Sequence, residues 1–222
     1  MNFKKITYSI FDNVKTLVGA LIIAVLIRSL LFQPFYLPSS SMEPTLLVGD
    51  RIFVSKYTYG YSKHSFPFSP PIFNKRIFNS EPKYGDLIVF KTPSDNRTDF
   101  IKRLVGLPGD EIQIENGDLL INKEKIKKEK MIDDFEIKCG GEYSNVSAFK
   151  EVLPNDLKHT VVYNTIGNMV NSDIYIVPKD HYFFLGDNRD CSKDSRFLSS
   201  VGYVHKDNLV GKAQFIFFST NI

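Results

Sequence analysis

One long apolar run near the N-terminus limits what this chain can fold into. Residues 17–37 read LVGALIIAVLIRSLLFQPFYL, and Arg28 is the only charged residue in this run. A helix needs about 20 apolar residues to cross a bilayer, so the run is long enough. A cation at the bilayer centre costs roughly 2.5–3.5 kcal/mol, but Arg28 lies past the middle, where its side chain can reach the far interface. We therefore predict a transmembrane anchor over 17–37.

The charges before this run indicate how it is oriented. Residues 1–16 contain three lysines against one aspartate, and basic residues favour the cytoplasmic side. We expect a cytoplasmic tail over 1–16 and an extracytoplasmic domain over 38–222. A cleaved signal peptide is the alternative, but RSLLFQPFY contains no small-x-small cleavage site. The sequence favours a retained single-pass anchor in the cell (inner) membrane.

The segments beyond the anchor predict a mostly β domain. Apolar stretches there are short and rich in β-branched and aromatic residues, with proline or glycine in nearly every gap. The pair Asn116-Gly117 within alternating residues predicts a hairpin. Residues 62–82 are predicted to be an extended surface loop. Residues 122–171, polar and irregular, are predicted to form an inserted smaller lobe between two parts of a catalytic core, about 38–121 and 172–222.

Composition excludes several classes of protein. The formal net charge is only +3, and the lysines are scattered, so nucleic acid is not an expected partner. HExxH, P-loop and GxGxxG motifs do not occur, and we expect no metal or other cofactor. Cys139 and Cys191 are too few for a disulfide framework or a zinc site. They can pair in an oxidising compartment or remain free thiols, and the sequence leaves both possibilities open.

A lysine in the segment IKRLVGLPGD is the first catalytic candidate. In a strand alternate residues share a face, which places Lys102 between Phe100 and Leu104. Burial of that face would lower the lysine pKa from about 10.4, and a neutral amine is a general base. Arg103 cannot serve, because guanidinium does not deprotonate in proteins. The alternative is an ordinary lysine at a strand edge, with its ammonium in water.

The serines that follow the anchor are the second candidate. Serine is a weak nucleophile until a nearby base takes its proton. The four histidines lie in segments typical of loops or strand ends, and Gly-x-Ser-x-Gly does not occur. Lysine is the remaining known partner for a serine nucleophile. The alternative is a serine-rich linker that leaves the membrane.

Four segments together resemble the motif boxes of bacterial signal peptidase I, a family of serine/lysine membrane proteases. They are PSSSMEPTL (38–46), YGDLIVF (84–90), KRLVGLPGD (102–110) and GDNRDCSKDSR (186–196), in this order behind an anchor. The resemblance extends to NLVGKAQF near the C-terminus. It implies an endopeptidase that cleaves signal peptides from exported preproteins after a small-x-small site, with preprotein signal peptides and the bilayer as partners and a functional monomer.

The resemblance also implies roles for individual residues. Ser41 matches the nucleophile, Lys102 the general base, Ser39 an oxyanion-hole donor and Ser192 a serine that orients the lysine amine. Site support is implied for Asp187, and an ion pair for Asp194 and Arg196. Shallow apolar substrate pockets are implied near Phe35, Leu37, Met42, Phe100 and Ile101.

Two departures from the family pattern bear on the site. Ser40 stands where glycine is common, and a backbone with positive φ would disfavour serine. Cys191 replaces a residue that is usually polar, next to Ser192. A bond from Cys191 to Cys139 would tether the site loop to the inserted lobe.

Other readings of the chain remain. The same scaffold occurs in serine/lysine proteases of the self-cleaving repressor type, but those carry a DNA-binding segment in place of an anchor. A catalytically inactive, membrane-tethered binding protein would be expected to lack the serine or the lysine. A generic anchored β-rich interaction domain would make all four motifs ordinary turns.

Overall fold

The N-terminal helix ends earlier than the apolar run does. The computed structural model describes residues 3–71, 75–164 and 171–220. Helix α1 spans Phe3–Leu30, and Phe11–Leu30 is long and apolar enough to cross a membrane. The predicted span 17–37 is therefore wrong at its end, because 32–36 form strand β1. Pro34 disfavours helix in the residue before it, and β1 pairs with the next strand instead.

Fourteen strands follow α1 in the described residues, so the chain is mostly β, as predicted. They are β1 Phe32–Tyr36, β2 Arg51–Ser55, β3 Leu87–Lys91, β4 Asp99–Gly106, β5 Glu111–Glu115, β6 Asp118–Ile121, β7 Glu124–Lys125, β8 Lys127–Cys139, β9 Glu142–Val152, β10 Lys158–Asn164, β11 Tyr175–Ile176, β12 His181–Leu185, β13 Val204–His205 and β14 Leu209–Phe218. Short 3₁₀ turns cover Ser40–Met42, Tyr57–Tyr59, Lys63–Ser65 and Lys206–Asn208.

A seven-stranded antiparallel sheet positions the candidate site. Its strand order is β1-β2-β14-β3-β4-β12-β13. Both faces of β4 are covered: Leu104 packs in one apolar cluster and Val105 in another. Burial on both faces is why the second half of β4 carries consecutive buried residues instead of an alternating pattern.

The predicted hairpin at Asn116-Gly117 is confirmed. Strands β5 and β6 pair up to Glu115 opposite Asp118, which leaves two residues in the turn. Asn116 has φ of 50° and Gly117 has φ of 76°. Positive φ at both turn residues is typical of the tight hairpin turn that Asn-Gly favours.

The segment 122–171, predicted as an inserted lobe from its polar and irregular sequence, contains regular strands. Strands β10, β9 and β8 form a separate three-stranded antiparallel sheet, and residues 165–170 lie outside the described part. One small cluster supports this sheet, made of Ile137, Val146, Ala148 and Val162. Charged residues occupy most of the exposed positions of β8, so its hydrophobic alternation is weak in the sequence.

The segment 62–82 is only partly the surface loop that was predicted. Ser62, His64 and Ser65 are buried around a 3₁₀ turn. Arg76 is also buried and donates hydrogen bonds to the carbonyl oxygens of Gly60 and Lys206 at 2.8 and 3.0 Å. Residues 72–74 lie outside the described part. Arg76 also donates to the carbonyl oxygen of Leu209 at the start of β14, so the segment is held to the sheet after that gap.

Candidate active site

Ser41 sits in a short turn directly after β1. It is the middle residue of the 3₁₀ turn Ser40–Met42 and is buried. The hydroxyl of Ser39 caps this turn, accepting a hydrogen bond from the Ser41 backbone N–H at 3.2 Å. Asn188 holds the turn from the other side, with its backbone N–H 3.2 Å from the Ser41 carbonyl oxygen. The backbone around the serine is thus fixed by its neighbour Ser39 and by Asn188 from a distant segment.

Lys102 reaches this serine from the centre of β4. Its Nζ lies 2.6 Å from Ser41 Oγ and 2.8 Å from the Ile101 carbonyl oxygen. The side chain is only 4% exposed. Burial lowers the pKa of Lys102 to about 8, against an opposing influence of Asp194 and Asp187. A minor fraction of the amine is therefore neutral near physiological pH and a growing fraction above it, and in that form it can accept the serine proton.

Ser192 does not make the bond that the resemblance implied. Its Oγ is buried and has no hydrogen-bond partner among the described residues. It does lie close to the nucleophile turn: a Cβ on Gly186 would lie 2.2 Å from Ser192 Oγ and 2.5 Å from the Ser41 carbonyl oxygen. Only glycine fits at 186. Ser192 and the Ser41 carbonyl oxygen therefore both lie against the same side of Gly186, and the orienting role of Ser192 stays a prediction.

The ion pair between Asp194 and Arg196 is present. Arg196 Nε lies 2.7 Å from Asp194 Oδ1, and its Nη2 lies 2.9 Å from Oδ2. Asp194 also accepts a hydrogen bond from the Gly186 backbone N–H at 3.0 Å. The carboxylate thus holds the backbone of Gly186, which both Ser192 and the Ser41 carbonyl oxygen approach closely.

Asp187 forms a buried ion pair with Arg103, a residue to which the motifs assigned no role in the site. Arg103 donates to it twice, with Nε 2.7 Å from Oδ1 and Nη2 2.6 Å from Oδ2. The Thr45 hydroxyl donates to the same carboxylate at 2.6 Å. Arg103 follows Lys102 on β4, so this buried fork fixes the strand on the face opposite the amine. The acid is 84 positions away in the chain, and no local pattern in the sequence indicates the pair.

A second buried charge pair connects the three-stranded sheet to the same loop. Arg189 Nη1 lies 2.8 Å from Glu151 Oε1, and both side chains are at most 2% exposed. His159 Nε2 lies 3.6 Å from the other Glu151 oxygen. Burial lowers the pKa of His159 to about 4, so the ring is neutral at physiological pH. Sequence reasoning missed all three residues, because each is an ordinary polar residue in its own segment.

The five predicted pocket residues lie around one cleft beside the catalytic pair. Phe35, Leu37, Met42, Phe100 and Ile101 line it, together with Ser39, Ser41 and Lys102. The cleft has a volume of about 490 Å³. An apolar cleft that ends at a serine hydroxyl can hold a small side chain while the adjoining carbonyl faces the nucleophile.

The two departures from the family pattern are accommodated. Ser40 is not among the described non-glycine residues with positive φ, so its side chain meets no backbone strain. Cys191 forms a disulfide with Cys139, with a Cα–Cα distance of 5.8 Å. This answers the question that the sequence left open. The bond ties the end of β8 to the loop that carries Ser192.

Loss of this disulfide is expected to destabilise the domain. A bond that spans 52 positions restricts the unfolded chain, so Cys139→Ala/Cys191→Ala should lose about 2–4 kcal/mol of unfolding free energy. Urea unfolding of the full chain in neutral detergent, followed by circular dichroism, measures this. Reducing the wild type should reproduce the loss and leave the double variant unchanged. A double variant as stable as the oxidised wild type would contradict the prediction.

Comparisons with known proteins agree with the motifs. Residues 10–218 match the family described as signal peptidase, peptidase S26. The chain is 44% identical over 211 residues to signal peptidase I of Rickettsia akari (strain Hartford), covering 90% of this chain and 76% of the relative. It is 42% identical over 209 residues to signal peptidase I of Rickettsia prowazekii (strain Madrid E), covering 90% and 77%.

A solved structure is also similar. It is a signal peptidase I from Enterococcus faecalis V583, 23% identical, with a TM-score of 0.36 over 61% of this chain and 98% of that one. The family match spans nearly all of the chain, and the Rickettsia relatives exceed 40% identity over nine tenths of it. The chain therefore belongs to the signal peptidase family, peptidase S26, and is a serine endopeptidase.

Proposed function

We propose that this chain removes signal peptides with a Ser41/Lys102 dyad through an acyl-enzyme. The observation that carries the proposal is the 2.6 Å contact between Lys102 Nζ and Ser41 Oγ inside a buried cleft. It supplies a nucleophile and a base within hydrogen-bond reach of one another. Membership of the family supports signal-peptide removal as the reaction.

In the first half of the reaction, Ser41 Oγ attacks the scissile carbonyl carbon and its proton moves to the neutral Lys102 amine. The Ser39 hydroxyl and the Ser41 backbone N–H donate to the resulting oxyanion. Without substrate, the Ser41 N–H donates a hydrogen bond to the Ser39 hydroxyl at 3.2 Å. When substrate reacts, this bond must break, and each group must donate a hydrogen bond to the oxyanion instead. The C–N bond then breaks, the leaving amine takes the proton from Lys102, and the mature protein departs.

In the second half, water attacks the ester that joins the signal peptide to Ser41. Lys102 accepts a proton from the water and returns it to Ser41 Oγ as the ester bond breaks. The signal peptide leaves with a new carboxylate, and the enzyme is restored. Arg103 and Asp187 keep the strand of Lys102 fixed throughout.

The membrane placement is part of the proposal. The Phe11–Leu30 segment would span the bilayer, with the N-terminus in the cytoplasm and residues from β1 onward outside. Ser41 follows the helix by 11 positions, which keeps the nucleophile near the outer interface. There it can meet a signal peptide that is itself inserted in the membrane. We further propose that the monomer is the active form.

The dyad predicts a specific pH dependence. Because the active amine is neutral and the pKa of Lys102 is lowered to about 8, kcat/KM should rise with pH up to about 8 and level off above it. Below that value the rate should fall close to tenfold per pH unit. Rates between pH 5 and 10 with a preprotein substrate, where chemistry limits turnover, measure this. A flat profile would exclude Lys102 as the base.

The specificity is tested by the identity of the product. Wild-type chain in detergent should cleave a purified preprotein immediately after a small-x-small site, as read from the sequence of the new N-terminus. Placing phenylalanine at the last position before the cleaved bond should lower kcat/KM at least about 100-fold, because the small-x-small specificity that the family resemblance implies requires a shallow pocket for that side chain. Phenylalanine at the middle position of the site is the matched control and should be tolerated. Equal cleavage of both substrates would reject the proposed pocket.

A further inference from the structure

A second cavity lies on the other side of Phe35 and is strongly basic. It has a volume of about 560 Å³, and two carboxylates, Asp95 and Asp99, line it against five cations. The cations are Arg28, Lys56, Lys63, Lys91 and Arg97. With His64 neutral, the lining carries a formal excess of three positive charges. None of these cations takes part in the proposed reaction.

The two carboxylates already have partners of their own. Asp99 pairs with Lys91 at 2.9 Å. Asp95 accepts hydrogen bonds from the Thr92 hydroxyl at 2.6 Å and from the Arg97 backbone N–H at 2.8 Å, which close its own turn. Asp99 still attracts the Lys56 ammonium from a distance, but among the described residues neither carboxylate forms a salt bridge with a cavity cation other than Lys91.

Lys56 is the most unusual of these cations. Its side chain is buried, at 1% exposure, and its Nζ has one long hydrogen bond, 3.4 Å to the His64 carbonyl oxygen. No carboxylate lies within 4 Å of it among the described residues. Burial lowers the pKa of Lys56 to about 8, so the amine still carries its charge at neutral pH. A buried ammonium with no anion is costly, and an anion in the cavity would offset that cost.

His64 gives an independent indication of a ligand. It lines the same cavity and is 4% exposed. Its Nδ1 lies 2.9 Å from the Ser69 hydroxyl, and its Nε2 is buried without a hydrogen-bond partner among the described residues. When the Ser69 hydroxyl donates to Nδ1, Nε2 carries the proton and needs an acceptor. An oxyanion in the cavity would accept from both His64 and Lys56.

The position of the cavity indicates where such an anion would come from. Arg28 is in the last turn of α1, at the end of the segment proposed to cross the membrane. Tyr57 and Phe68 are exposed nearby, and Phe68 lines the cavity itself. A cationic site with aromatic side chains at its rim, at the level of the lipid headgroups, matches the chemistry of an anionic phospholipid.

We propose that this cavity binds the phosphate of an anionic phospholipid headgroup, with Lys56 and His64 as its buried donors. Arg28 and Lys63 add charge at the entrance. The choice of a lipid over free phosphate rests on the membrane placement proposed above. Bound lipid would hold the sheet against the end of α1, because Arg28 belongs to the helix and Lys56 follows β2.

The test measures lipid binding by the full chain in neutral detergent. Dihexanoyl-phosphatidylglycerol, dihexanoyl-phosphatidylcholine and inorganic phosphate are titrated separately, with native mass spectrometry or thermophoresis as the readout. We expect phosphatidylglycerol to bind at least tenfold more tightly than phosphatidylcholine. Phosphate that binds as tightly as phosphatidylglycerol would overturn the lipid assignment. Equal affinity for the two lipids would overturn the anionic site.

Variants locate the site. Lys56→Met keeps the length of the side chain and removes the charge, and should weaken phosphatidylglycerol binding about tenfold, the loss of one charge-assisted hydrogen bond. Lys63 is partly exposed, and Lys63→Gln should weaken phosphatidylglycerol binding several-fold. This variant tests the site if Lys56→Met does not fold. Lys158→Met removes an equal charge from an exposed site on β10 and should have no effect. An equal loss in Lys158→Met, or no loss in Lys56→Met and Lys63→Gln, would reject the cavity as the site.

The binding result stands apart from the peptidase proposal. Binding is read without any cleavage, and Lys56 does not contact the reacting groups. Cleavage of preprotein by Lys56→Met in micelles should therefore equal that of the wild type. Failure of the dyad proposal would leave the lipid measurement intact, and failure of lipid binding would leave the cleavage result intact.

Discussion

Replacing Lys102 by arginine is expected to abolish peptidase activity and to retain the fold. Arginine keeps the positive charge 2.6 Å from Ser41 Oγ but cannot lose its proton in a protein. If the lysine acts as a base, the variant loses the whole contribution of proton transfer, about 10²–10⁴-fold in kcat/KM. If the lysine only provides charge, the variant keeps most of its activity. The measurement is initial cleavage rate against enzyme concentration, at pH 9, where the wild-type amine is neutral.

Two further variants make this result interpretable. Lys102→Met removes the base and the charge with little change in volume, and should be as inactive as Lys102→Arg. Lys212→Arg, on β14, retains an ion pair with Asp86 and should keep full activity. Circular dichroism and unfolding midpoints report whether each variant folds. An active, folded Lys102→Arg would refute the dyad mechanism.

Replacing Ser41 by alanine is expected to cause the largest loss of all. It removes the atom that bonds to the substrate, and kcat should fall by at least about 10⁴-fold. KM should change little, because the apolar cleft around Phe35 and Ile101 remains. Serine and lysine act as one unit, so Ser41→Ala/Lys102→Met should be no slower than Ser41→Ala alone. Rates are best followed by separation of precursor from mature protein.

Ser39→Ala serves as the graded comparison. It leaves the nucleophile and the base in place and removes one oxyanion donor, which should lower kcat by about 10²–10³-fold. The order of activities should therefore be wild type, Ser39→Ala and then Ser41→Ala. A Ser41→Ala chain that still cleaves at the same site would require another nucleophile.

The inserted three-stranded sheet has a structural connection to the reaction. Cys139 at the end of β8 is bonded to Cys191, and Glu151 on β9 pairs with Arg189. Both contacts reach the loop that carries Ser192 and Asp194. The sheet thus holds the loop at two points and is not simply an appendage of the catalytic core.

Sequence patterns determined the local features of this protein. The apolar run gave α1 and its candidate membrane span, and Asn116-Gly117 gave the hairpin, because both depend on residues that are neighbours in the chain. Lys102 on a strand between apolar residues was also predictable from alternation. The order of four motif boxes then identified the family, which comparison with known proteins confirmed.

Other features were decided only by the tertiary structure. The helix ends at Leu30, because β1 gains strand partners in a sheet that the composition of 17–37 does not reveal. The pairs of Arg103 with Asp187 and of Glu151 with Arg189 join residues 84 and 38 positions apart. The same holds for the bond of Cys139 with Cys191 and for the burial of the Lys56 ammonium. The burial, the partners and the pKa of a side chain depend on which other groups the fold places within a few ångströms of it. The sequence alone shows only which groups the chain contains.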